Sequence, residues 1–195
     1  MRILVVGATG TIGKAVAEAL AGRHEVVRAS RHGEVKLDLE APHTLSDALR
    51  GAGPLDAVVC CAGNARFKPL EQLGDEDFAY SLRSKLMGQV NLARAAFGVL
   101  RDGGSVTLTS GVLARKPSPG SAAISVVNAG VEAFARAAAL ELPRGLRINV
   151  VSPPWVSETL KAMGMDPSGG LPAERVARAY VEAVEGRRQG ETLEP

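Results

Sequence analysis

Short apolar runs rich in β-branched residues alternate along this chain with longer stretches in which apolar residues recur every three or four positions. The first pattern predicts strands buried on both faces, the second amphipathic helices. Strands are expected at 3–6, 25–29, 56–61, 105–109 and 146–151, with short ones at 35–39 and 191–193. Helices are expected at 14–21, 44–49, 75–100, 122–142 and 173–185. The punctuation supports this division: Gly51-Ala52-Gly53-Pro54, Asp102-Gly103-Gly104 and Pro153-Pro154 read as stops, and Pro172 as a start. Strand–helix alternation predicts an α/β fold, a Rossmann-type doubly wound parallel sheet with right-handed crossovers. The expected strand order is 3-2-1-4-5-6-7.

Length and charge narrow the picture. The 195 residues suit one domain, 1–195, with a small lid at about 155–172, where Met163, Met165 and three glycines cluster. A net charge of +2 offers no field to recruit nucleic acid or a membrane surface. No apolar run reaches the roughly 20 residues of a membrane span. With the first strand starting at residue 3, no room is left for a signal peptide, and a cytoplasmic protein is expected. Cys60 and Cys61 are adjacent, so in a strand they point to opposite faces. They read as buried thiols of a reducing compartment, and no metal site is expected.

In such sheets ligands bind beyond the carboxyl ends of the strands. The first strand runs directly into Gly7, Gly10 and Gly13, then a helix. Gly7 lets the chain turn, Gly10 admits a diphosphate close to the backbone, and Gly13 lets helix pack on strand. Thr9, Thr11 and Ile12 share the turn, and the helix N-terminus adds free N–H groups. At the end of the second strand stands Ser30-Arg31, where an NAD site usually carries Asp or Glu. Arg31 favours the 2′-phosphate of NADP, with NAD as the alternative, and is equally readable as a solvated surface residue. Asp38-Leu39 suits an adenine pocket, although Asp38 is also a natural loop cap. Ser110 puts a hydroxyl at the end of the strand expected at 105–109.

These motifs together resemble the short-chain dehydrogenase/reductase family over nearly the whole chain. They are Gly-Ala-Thr-Gly-Thr-Ile-Gly at 7–13, Asp38-Leu39, Cys-Cys-Ala-Gly at 60–63, and Val-Thr-Leu-Thr-Ser-Gly at 106–111. Ala-Gly-Val-Glu-Ala-Phe-Ala at 129–135 and Arg-Ile-Asn-Val-Val-Ser-Pro-Pro at 147–154 complete the set. The resemblance implies a Rossmann fold, NAD or NADP as cofactor, and hydride transfer between cofactor and a small-molecule carbonyl or alcohol. It implies that Ala62 and Gly63 line the adenine-side ribose, and that Pro153, Pro154 and Val156 belong to a loop closing over the nicotinamide. It also implies a homodimer or homotetramer, for which the alanine-rich helices at 75–100 and 122–142 offer close packing.

The chain departs from the family where the chemistry should be. The family's Tyr-x-x-x-Lys, aligned on Val131-Glu132-Ala133-Phe134, falls on Ile124 and Asn128. The family's active-site Asn falls on Lys85, and the Asn of its Asn-Ala-Gly on Cys61, while the Ser persists as Ser110. Isoleucine has no proton to give, so the usual mechanism is not available. Lys and Asn look exchanged between two positions that face one another across the family's site. The expectation is that Ser110 bonds the reacting oxygen, Lys85 supplies the ammonium and Asn128 orients it or a water between them. The bland reading of Lys85 is a solvated helix lysine, or one paired with Glu132 or Asp77. Two functions stay open: an NADP-dependent oxidoreductase with altered catalytic residues, and a non-catalytic or regulatory NADP-binding protein.

Overall fold

The central strand, β1 (Arg2–Val6), alternates its side chains between two cores. Ile3 and Val5 enter one, Leu4 and Val6 the other, and all four are buried. The computed structural model describes every residue from Met1 to Pro195. Around β1 lie β2 (Glu25–Ser30), β3 (Val35–Lys36), β4 (Leu55–Cys60), β5 (Leu100–Thr109), β6 (Arg147–Val151) and β7 (Thr192–Leu193). They form one parallel sheet in the order β3-β2-β1-β4-β5-β6-β7, as the alternation predicted.

Helices α1 (Thr11–Ala21) and α7 (Ala173–Glu185) cover one face through Val16, Leu20, Val176 and Tyr180. The other face is covered by α2 (Leu45–Gly51), α4 (Gly88–Phe97) and α5 (Ala122–Ala138), with Leu49, Leu92 and Val131 at the contact. Cys60 belongs to this second core and Cys61 packs against the first, which places the adjacent thiols on opposite faces. No helix is long and apolar enough to cross a membrane. Val6 is level with Ala29 and Cys60, so β1, β2 and β4 end together and their following loops share one edge.

Four elements differ from the pattern's expectation. The helix expected at 75–100 is α3 (Asp75–Ser81), a π-helical turn at Leu82–Met87, and α4. The periodicity of apolar residues continues through the turn, which is why the pattern does not reveal it. Second, β5 starts at Leu100, and Asp102-Gly103-Gly104 is a bulge within it. Leu55 pairs with Leu100 but Ala57 with Ser105. Gly103 sits at φ +76° and donates its N–H to the Arg144 carbonyl at 2.9 Å. Glycine signalled an interruption correctly, and the sheet absorbs it. Third, α5 ends at Ala138, and residues 139–141 close in tighter turns. In the segment 155–172, a short helix α6 (Ser157–Ala162) forms where none was expected. Val156 and Leu171 bridge its two ends, and the Glu158 carboxylate accepts the Ala173 N–H at the start of α7.

Candidate functional site

The glycine turn is shaped by contacts that leave no room for a side chain. A Cβ on Gly13 would lie 2.1 Å from the Gly7 carbonyl oxygen, so α1 starts directly against the turn. Gly7, at φ +81°, donates its N–H to Ala29 at 2.9 Å and so ties the turn to β2. Helix α1 has no side-chain cap and no acidic residue in its first turn. Its free N–H groups and positive dipole end are therefore open to an anion.

Beyond this turn lies a cleft of about 470 Å³. Gly7, Thr9 and Gly10 line its floor, Ser30 and Arg31 one end, and Asp38 and Leu39 a side. Ala62 and Gly63, from the loop after β4, close the opposite wall. Arg31 is exposed and has no carboxylate partner, so its charge is available to a ligand as well as to water. Asp38 lines the cleft, and its carboxylate also accepts the Glu40 N–H at 3.0 Å, as a loop cap does. Gly88 supports this wall, since a Cβ there would lie 2.9 Å from Leu39 Cβ. Thus α4 packs closely on the loop that carries Asp38 and Leu39.

A second group of polar residues gathers at the end of β5. Ser110 is 3% exposed and donates its hydroxyl proton to the Glu132 carboxylate at 2.8 Å. Glu132, itself buried, is held at its other oxygen by Arg115 at 3.0 Å, and Arg115 reaches on to Glu194 at 2.8 Å. Gln89 grips the residue before Ser110 from both sides. Its amide donates to the Thr109 carbonyl and accepts the Thr109 N–H, each at 2.8 Å. The side chain thus stands in for a neighbouring strand where β4 has already ended. The Thr109 hydroxyl bonds the Cys60 carbonyl and the buried Tyr180 hydroxyl, each at 2.6 Å. Burial pushes the Cys60 thiol up to about 12, raises the Cys61 thiol too and lifts the Tyr180 hydroxyl well above its ordinary range, so none of the three ionises near neutrality.

Lys85 comes from the π-helical turn, a distortion often found at functional sites. Its ammonium donates to the Ser110 carbonyl at 3.4 Å. It pairs with neither Glu132 nor Asp77: Glu132 holds Arg115, and Asp77 holds Lys68 at 2.6 Å and Arg66. Burial draws its pKa down to about 8, against a small opposing pull from Cys60. Asn128, on α5, donates to the next carbonyl, Gly111, at 3.4 Å, and its own buried Oδ1 has no partner. Lys85 and Asn128 therefore approach consecutive carbonyls of the same loop. Ile124 is half-buried one turn earlier on α5.

The cleft and this second group adjoin without merging. Gly63 links them: its φ is +115°, and a Cβ there would lie 3.0 Å from Lys85 Cα. Ser110, Lys85 and Asn128 do not line the cleft itself, whereas Ser84 and Asn64 do, with His32 beside Arg31. Thr11 is exposed and faces a different hollow, toward Glu158 and Arg178, and Ile12 packs against the α1 core. The Pro153 carbonyl accepts the Val112 N–H at 2.9 Å, while Val156 is buried in the core beneath α1 and α7; neither these nor Pro154 reach the cleft. Sequence reasoning missed Glu132, Arg115 and Gln89 as partners around Ser110. Glu132 carried a signal, lying one helical turn from Asn128 and so on its face. Arg115 carried none, because it arrives from a loop.

Known proteins resemble the chain throughout. The model of the family described as enoyl-(acyl carrier protein) reductase matches residues 2–187. A hydroxynaphthalene reductase-like protein Arp2 of Metarhizium brunneum is 31% identical, over 89% of this chain and 76% of that one. The crystal structure of the protein lin1944 from Listeria innocua superposes with a TM-score of 0.95 at 39% identity, covering 100% of this chain and 98% of that one. A small-chain dehydrogenase in complex with NADPH superposes with a TM-score of 0.87 at 26% identity, covering 100% and 96%.

Proposed function

Because the chain belongs to the short-chain dehydrogenase/reductase family, we propose that it is an NADP-dependent oxidoreductase acting on a small carbonyl or alcohol with altered catalytic residues. The observation that carries this reading is the cleft at the carboxyl edge of β1, β2 and β4. It joins an uncapped helix N-terminus, a glycine cradle and an unpaired arginine, and the end of β2 carries no carboxylate to hold a ribose 2′-hydroxyl. NADPH bound there supplies the hydride. Gly7, Thr9, Gly10 and the first turn of α1, Thr11 to Gly13, hold the diphosphate. Ser30 and Arg31 take the 2′-phosphate, Asp38 and Leu39 the adenine, Ala62 and Gly63 the ribose. Residues 153–156 and the 155–172 lid border the nicotinamide end.

In this reading Lys85 is the proton donor to the reacting oxygen, since its pKa lies near the working range. Ser110 gives its proton to Glu132 and so presents lone pairs, accepting a hydrogen bond from an alcohol. Asn128 Oδ1, the free acceptor, orients the ammonium or a water beside it.

Fluorescence titration with NADPH, followed by a panel of aldehydes and ketones, tests the proposal. Submillimolar NADPH binding and turnover of at least one carbonyl are expected. Tight binding with no turnover anywhere in the panel moves the assignment to a cofactor-binding protein without dehydrogenase chemistry. Arg31→Asp should reverse the preference from NADP to NAD by tenfold or more, roughly the worth of one charge-assisted contact. Equal loss for both cofactors would remove Arg31 from the 2′-phosphate site.

Self-association is part of the same proposal. Leu82 and Met87 at the ends of the π-helical turn, and Val126 on α5, are exposed apolar side chains on neighbouring elements. Light scattering at micromolar concentration should give at least twice the 20.3 kDa of the chain; a monomer's mass would reject an assembly.

A further inference from the structure

Six lysines are distributed along the chain, and five are ordinary. Lys14, Lys36, Lys116 and Lys161 are exposed. Lys68 is locked to Asp77 at 2.6 Å. Lys85 alone is half-buried without a carboxylate partner, its one hydrogen bond a long contact to the Ser110 carbonyl. The surroundings explain why it is not a salt bridge in waiting. The carboxylate of the same polar group, Glu132, is taken up by Ser110 and Arg115. Gly63 lies flat against the lysine's stem, and the π-helical turn carries the residue out of register with its own helix. A half-buried ammonium packed without a counter-charge is the arrangement that favours the neutral amine.

We propose that Lys85 is a carbonyl-reactive amine, a site that captures aldehydes or ketones as an imine. This goes beyond proton donation and is independent of cofactor binding. In the step, the lysine nitrogen lone pair forms the C–N bond to the carbonyl carbon. The amine proton passes to the oxygen, which takes one more from solvent and leaves as water, giving a protonated imine with no change of oxidation state. Asn128 Oδ1, buried and unpartnered beside the next carbonyl, offers an acceptor for the carbinolamine hydroxyl. Ser110, its proton committed to Glu132, offers a lone pair on the same side of the loop. The depressed pKa, about 8, leaves a substantial fraction of free amine near neutral pH.

Treating the unliganded protein with propanal and sodium cyanoborohydride at pH 7 fixes any imine as a propyl amine. Digestion and mass spectrometry then give a rate for each lysine within one folded sample. Lys85 is expected to react at least about tenfold faster than each of the other five lysines, allowing for the lower nucleophilicity of a less basic amine. The exposed Met1 α-amine is counted separately as the known competitor. In Lys85→Arg the fast internal adduct should vanish while the Met1 adduct persists. Modification of Lys85 at or below the rate of the exposed lysines would overturn the proposal. No cofactor is present, so that result would leave the NADP reading standing, just as failure of NADPH to bind would leave this one standing.

Discussion

Gly13→Ala is expected to lower the melting temperature by about 10 °C and to weaken NADPH binding at least tenfold. The added methyl would lie 2.1 Å from the Gly7 carbonyl oxygen, 2.7 Å from its carbon and 3.1 Å from Ala8 Cα. All three are backbone atoms, so no side-chain rotation relieves the overlap. Either α1 moves off β1 or the turn reshapes. Overpacking of a tight core costs about 1–3 kcal/mol. A clash against backbone belongs at the upper end, and each kcal/mol is worth about 2–4 °C in a domain of this size. The same movement displaces the first-turn N–H groups that would hold the diphosphate, which couples the stability loss to the binding loss. Gly51→Ala is the control. Gly51 ends α2 with nothing within 4 Å of a built Cβ, so alanine there should be neutral or stabilise by about 0.5–1 kcal/mol. Thermal unfolding by circular dichroism and NADPH titration measure both. Equal melting temperatures for the two variants would show that Gly13 is not the packing constraint described.

The contrast between these glycines shows what was legible in the sequence. Gly13 could be read because its reason is local: a strand, a turn and a helix within a dozen residues impose one geometry. Strand order was legible for a related reason, since alternating elements leave few ways to wind a parallel sheet. Arg31 and Asp38 could be placed at the cleft because strand ends set the sheet's edge. The π-helical turn was not legible, as apolar spacing is nearly the same through it. Glu132 and Arg115 were missed for a stronger reason. Their importance lies in a contact between Ser110 at a strand end, a helix residue 22 positions on and a loop arginine 17 positions back from that. Nothing in local pattern encodes such a meeting. Lys85 was found only through a departure from the family's motif, and its missing counter-charge only from the structure.

That missing counter-charge sets the largest effect expected on chemistry, and its sign on stability is opposite. Lys85→Met should reduce carbonyl reduction by at least about a hundredfold, the usual worth of a positioned general acid. NADPH affinity should stay within a few fold, because Lys85 does not line the cleft. The same substitution should stabilise the protein. Desolvation lowers the Lys85 pKa from 10.5 to about 8, so the folded state holds the proton less well than the unfolded chain does. Between about pH 8 and 10.5 the unfolded state binds more protons, and stability rises with pH across that window. Below about pH 8 the penalty is present in full, at most about 3 kcal/mol for a depression of this size. Methionine fills similar space and carries no charge, so at pH 7 the variant should melt several degrees above wild type. The gap should close toward pH 10.5, where the wild-type amine is neutral in both states. Denaturant unfolding at pH 7 and pH 10, beside steady-state rates, tests both halves. A variant that loses activity and stability together would make Lys85 a packing residue. One that keeps its activity while gaining stability would leave the ammonium without a role in the reaction. Only loss of turnover with gain of stability fits a half-buried, unpaired charge kept for function at the expense of the fold.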